Sequence, residues 1–125
     1  MAAGRIRQMT SDSFVIGCSV HGLDEAVAVA ADVDYVVAGT VFPTPSKPEV
    51  TRFLGADGLA RIARSVPVPV LAIGGVSVER ASEVAAAGAR GVAGIGLFAN
   101  PHRPIKEVVQ ELRERFNIVG KFPRR

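Results

Sequence analysis

Short apolar runs alternate with alanine-rich amphipathic stretches along this chain. Phe14-Val15-Ile16-Gly17-Cys18-Ser19, Tyr35-Val36-Val37-Ala38-Gly39, Val68-Pro69-Val70-Leu71-Ala72-Ile73 and Gly91-Val92-Ala93-Gly94-Ile95 are short and rich in β-branched residues, so each predicts a strand. The third run has no polar position from Val68 to Ile73 and reads as a strand covered on both faces. Helical patterns follow each strand, over Leu23 to Ala31, Ala56 to Ser65, Val78 to Ala87 and Pro104 to Phe116. Their ends are marked. Asp24 and Glu25 suit a positive helix N-terminus, Gly88 serves as a C-cap, and Pro104 stands where a helix favours proline. A long loop from Thr40 to Gly55, stiffened by Pro43, Pro45 and Pro48, separates the second strand from its helix. Ala2 to Met9 reads as a further helix ahead of the first strand.

Four strand–helix units imply an α/β fold: a parallel sheet with right-handed crossovers. A doubly wound sheet and a (β/α)8 barrel both satisfy that rule. Glycines at several strand ends favour the barrel, which needs eight units and usually about 200 residues or more. This chain has 125 residues and four units. It therefore reads as a single domain equivalent to the C-terminal half of a TIM barrel, with residues 1–12 as a helical remnant and residues 117–125 as a basic tail. A four-stranded half-barrel has two open edges and an uncovered interior layer. The expectation is pairing with a missing N-terminal half, or with a second copy in a homodimer.

Composition narrows the function. The chain is 48% hydrophobic and 22% charged, as globular domains are. No apolar run approaches the roughly 18–20 residues of a membrane span, and no signal peptide is visible. One cysteine, Cys18, permits neither an internal disulfide nor a cysteine metal pair, so a cytoplasmic setting is expected. The net charge of +3 comes largely from the tail Lys121-Phe122-Pro123-Arg124-Arg125. Six Phe and one Tyr form no basic, aromatic-interleaved face, so nucleic acid is not an expected partner.

Three strand ends carry the chemistry, because barrel sites lie at the carboxyl ends of strands. Ile73-Gly74-Gly75-Val76 closes the third strand, where missing Cβ atoms let the backbone approach a ligand. Ser77 behind it can cap the next helix and leave its N–H groups aimed at the same spot, which suits a phosphate. Gly94-Ile95-Gly96 closes the fourth strand. Thr44, Pro45, Ser46 and Lys47 lie in the proline-rich loop, with hydroxyl and ammonium donors suited to phosphate oxygens. Gly94-Ile95-Gly96-Leu97-Phe98-Ala99 also matches a dinucleotide fingerprint, but no strand ending in an acid follows it. Ser19 and His21 alternate at the end of the first strand, and His21 can carry a proton. His102 reads as a loop residue, and no Ser-His-Asp or metal-ligand spacing stands out.

Ile16-Gly17-Cys18-Ser19-Val20-His21, Asp34 to Lys47, Pro69 to Val76 and Ala87 to Ala93 together resemble the thiamine phosphate synthase and thiazole tautomerase superfamily, in its order and spacing. The resemblance spans about Ala2 to Phe116. It implies a (β/α)8 barrel and a synthase that couples a pyrimidine pyrophosphate to a thiazole phosphate, releasing pyrophosphate with Mg²⁺. By position, Ser19 and Lys47 would contact the pyrimidine pyrophosphate. Thr44, Pro45, Ser46, Gly74, Gly75, Ile95 and Gly96 would surround the thiazole phosphate. The Mg²⁺ ligands belong to the family's first half and have no counterpart here. Synthases usually carry Ser where this chain has Gly96. The tautomerase alternative makes His21 the acid/base and needs no metal. A non-catalytic phosphate-binding or assembly module is the third expectation.

Overall fold

Among the described residues, four strands form one parallel sheet in the order β1-β2-β3-β4. The structure, a computed structural model, describes residues 2–45 and 48–119. The strands are β1 (Gly17–Val20), β2 (Tyr35–Ala38), β3 (Val70–Ile73) and β4 (Gly91–Ala93). The helices are α1 (Ala3–Met9), α2 (Leu23–Val29), α3 (Gly55–Ser65), α4 (Ala81–Ala86), α5 (Gly96–Ala99) and α6 (Ile105–Val119), with a 3₁₀ turn over Ala30–Asp32. Every predicted strand and helix forms. Sequential order with parallel pairing is the arrangement of consecutive barrel units.

Register assigns the two faces. Cys18 pairs with Val36, Val36 with Val70, and Ala72 with Val92, so these residues share one face. There Val20, Val36, Ala38, Val70 and Ala72 meet Ala26, Leu59, Ile62 and Val84 of the helices in one core. Leu59 and Ile62, three residues apart on one α3 stripe, are wholly buried. A smaller cluster joins Val78 and Ala81 to Val108 and Leu112 of α6.

The opposite face carries Ser19, Tyr35, Val37, Leu71, Ile73 and Ala93. In a closed barrel this is the interior. Here Tyr35, Val37, Leu71 and Ile73 are half-buried, and Ser19 is exposed. The expectation that β3 is covered on both faces is therefore corrected. Its helix side is sealed, with Val70 at 2% and Ala72 at 0% exposure, whereas its interior side is open. The unbroken apolar pattern fits a barrel interior that four strands cannot enclose.

Other boundaries shift for local reasons. Phe14 and Val15 stand exposed before β1, which starts at Gly17. The last helix passes the expected end at Phe116 and reaches Val119, so 117–119 belong to it. Residues 120–125 of the expected tail lie outside the described residues. Arg7 anchors α1: its guanidinium donates to Asp34 Oδ2 at 2.8 Å and to the carbonyls of Phe14 and Asp32. Asp34 Oδ2 also accepts the Ile16 N–H at 2.7 Å. The Arg7 hydrogen bond, and next the Ile16 N–H, hold the Asp34 carboxyl below the usual aspartate range.

Candidate functional site

All four strands run the same way, so the loops after β1, β2, β3 and β4 emerge on one rim. The β2–α3 loop and the double-glycine turn are bound together there. Val41 N–H donates to Ile73 O at 3.0 Å, and Phe42 N–H to Gly74 O at 2.9 Å. Gly74 has φ +98° and Gly75 φ +65°, a region L side chains rarely adopt. A Cβ on Gly75 would lie 2.6 Å from the carbonyl oxygens of both Phe42 and Pro43. The double glycine thus answers a close approach of protein backbone. The sequence pattern alone assigns that space to a ligand.

The N–H groups tell a different story from the Cβ positions. Among the described residues, those of Gly75 and Val76 donate to no backbone carbonyl, and neither do those of Gly96 and Leu97. Both pairs follow neighbouring strands on the same rim. Unspent N–H groups need an acceptor, and water or an anion can supply it. Around Gly96 the space is open: nothing lies within 4 Å of a Cβ there, and Ile95 is 82% exposed. Gly96 opens α5, a four-residue helix missing from the expected elements. A glycine-flanked run that short carries no capping or periodic signal.

Ser77 does not serve as expected. Its Oγ accepts the Arg80 N–H at 3.2 Å, closing a turn that delays α4 to Ala81. Glu79 sits in the same turn. A backbone hydrogen bond first, and the Ser77 hydroxyl beside it, hold its carboxyl below the ordinary value. The Ser77 hydroxyl is committed locally.

Thr44 is half-buried and Pro45 exposed on the loop beyond Phe42. Ser46 and Lys47 lie outside the described residues. Ser19 lies on the interior face of edge strand β1. His21 lies past the strand end with its side chain 75% exposed. Glu25 holds it, accepting the His21 N–H at 2.8 Å and facing Nδ1 at 3.1 Å. The i,i+4 spacing of this pair was readable in the sequence, but at a strand–helix junction it was not singled out. Among the described residues, no group of three or more His, Cys, Asp or Glu side chains gathers to hold a metal. The described donor set does not fit Mg²⁺.

Consecutive parallel βα units with glycine turns on one rim place the chain among the (β/α)-barrel proteins. A family model described as thiamine monophosphate synthase matches residues 1–98. The chain belongs to that family. The thiamine-phosphate synthase of Pyrococcus furiosus is 40% identical over 103 residues, covering 82% of this chain and 49% of that protein. The thiamine-phosphate synthase of Caldivirga maquilingensis is 46% identical over 87 residues, 68% of this chain and 42% of that protein. In structure, the thiamine phosphate pyrophosphorylase of Pyrococcus furiosus superposes with a TM-score of 0.78 at 31% identity, over 95% of this chain and 56% of that one. The chain spans about half the length of the curated relatives it matches. No helix among the described residues is long and apolar enough to cross a membrane.

Proposed function

We propose that this chain contributes the phosphate-holding half of a thiamine phosphate synthase site in thiamine biosynthesis, in a cytoplasmic setting. The substrates are hydroxymethylpyrimidine pyrophosphate and thiazole phosphate. The observation that carries the reading is the two sets of unspent N–H groups, at Gly75–Val76 and Gly96–Leu97, on adjoining strand ends. Backbone N–H groups bind a phosphate without adding charge and hold it in a fixed orientation. Fixing the thiazole by its phosphate presents the ring nitrogen to the pyrimidine methylene carbon. The N–C bond forms there, the C–O bond to the pyrophosphate breaks, and its electron pair leaves with the pyrophosphate. Ser19 and Lys47 are the residues of this chain proposed to face that leaving group, with Thr44, Pro45 and Ser46 beside the thiazole phosphate. Mg²⁺ in this family neutralises pyrophosphate charge; its ligands are proposed to lie in the part of the relatives that this chain does not match.

Titrating the purified chain with thiazole phosphate tests the reading. Saturable binding, lost at high inorganic phosphate, is the expected result. Incubation with both substrates and Mg²⁺ is expected to give no coupling above background. Absence of binding overturns the site, and turnover at an ordinary enzyme rate overturns the view that the unmatched half is required.

One observation favours a tautomerase reading. Glu25 faces Nδ1 of His21 at 3.1 Å and so orients an imidazole whose side chain is 75% exposed, an arrangement suited to moving a proton. In that reading His21 moves a proton on a thiazole phosphate carboxylate, and His21→Ala abolishes the transfer while leaving phosphate binding intact.

A further inference from the structure

The β2–α3 loop leaves the sheet at Phe42. Hydrogen bonds tie the chain down to that point, and it returns where Leu54 N–H meets Thr40 O at 2.9 Å and Gly55 N–H meets Val41 O at 2.9 Å. Phe42, whose N–H donates to Gly74 O, thus stands at the foot of the segment that carries Thr44 and Pro45. Its side chain is only 6% exposed. The guanidinium of Arg80 lies over its ring, with the central carbon 4.2 Å from the centroid. Arg80 belongs to the turn that follows the double glycine, and its own N–H is fixed by Ser77. Among the described residues its guanidinium makes no hydrogen bond or ion pair, so stacking on Phe42 is its one engagement. The contact thus joins the stem of one rim loop to the turn of the next.

We infer that Arg80 is a positioning residue: by stacking on Phe42 it fixes the stem of the β2–α3 loop against the double-glycine turn. It thereby sets where Thr44 and Pro45 stand relative to the unspent N–H groups of Gly75 and Gly96. This rests on the phosphate-binding reading above. The planar guanidinium is essential, because a lysine ammonium keeps the charge and loses the flat stacking face.

Hydrogen exchange of the peptide spanning Pro43 to Phe53, and titration with inorganic phosphate, separate the outcomes. Arg80→Ala is expected to speed exchange of that peptide about two- to fivefold and weaken phosphate binding by a similar factor, the size of an exposed cation–π contact. Arg80→Lys behaves like Arg80→Ala. Phe42→Leu keeps an apolar plug, removes the ring and gives the same loss, and adding Arg80→Ala to it makes the loss no larger. Unchanged exchange in Arg80→Ala overturns the inference. Wild-type behaviour of Arg80→Lys does so too, since charge alone then suffices, as does a double variant whose losses add. A wild-type chain that ignores phosphate refutes the proposed site, and loop exchange still decides the role of Arg80.

Discussion

Gly75→Ala is the sharpest test of how the rim is built. An alanine there must adopt φ near +65°, which costs about 1–2 kcal/mol for a residue with a Cβ. The new methyl would also lie 2.6 Å from the carbonyl oxygens of Phe42 and Pro43. Relieving that overlap means moving the loop by about 0.8 Å, to reach ordinary contact at 3.4 Å. Such a move strains or breaks the 2.9 Å bond from Phe42 N–H to Gly74 O, a loss of about 1 kcal/mol. The expected destabilisation is roughly 2–4 kcal/mol, a large share of the stability of a domain this size. Gly96→Ala is the matched control, because a Cβ there meets nothing within 4 Å. Removing a flexible glycine from the opening of α5 is expected to be neutral, or stabilising by up to about 1 kcal/mol. Urea unfolding followed by circular dichroism measures both. A Gly75→Ala chain within about 0.5 kcal/mol of wild type would falsify the account of the double glycine as a backbone-packing requirement.

Leu59→Ala empties a fully buried site between α3 and the sheet and is expected to cost about 2–5 kcal/mol in the same urea assay. Asp34 gives a pH signature. Its folded value is depressed, so its contribution is fully present above the ordinary aspartate range and disappears as pH falls through the lower folded value. Asp34→Asn removes that dependence. Acid melts of the two proteins should converge at low pH, and a constant gap across the whole range would contradict the Arg7–Asp34 linkage. For His21→Ala, thiazole phosphate binding is expected to stay within about twofold of wild type, since the side chain is solvent-facing and Glu25-held. A larger loss would place the imidazole on the phosphate.

The alternation of apolar runs with amphipathic stretches, and the need for glycine at 74 and 75, were legible because both are local rules of period and backbone conformation. Three features were not. The open side of β3 is not legible in the run itself, because Leu71 and Ile73 are as apolar as the buried Val70 and Ala72; only the count of four units pointed to an uncovered interior layer. The apolar pattern extends β1 back to Phe14 because Phe14 and Val15 satisfy strand propensity, whereas pairing with β2 begins only at Gly17. The engagement of Arg80 with Phe42 joins residues far apart in sequence and obeys no short-range spacing. At the site, Gly75 and Gly96 were found by their glycine signal, but their environments differ in a way no motif encodes: one is crowded by carbonyls, the other faces open space.

The half-covered side of the sheet gives the chain a built-in reporter of assembly. A hydroxyl introduced at Leu71 or Ile73 stays within reach of water while that side is only half covered, so the cost is that of the apolar atoms removed and not of an unpartnered polar group. Once another body seals the same side, the hydroxyl is stranded without a partner at a cost of about 1–3 kcal/mol. Comparing Leu71→Ser or Ile73→Thr with wild type at rising concentration, or with added partner, therefore reads through the melting curve alone whether that side has been covered.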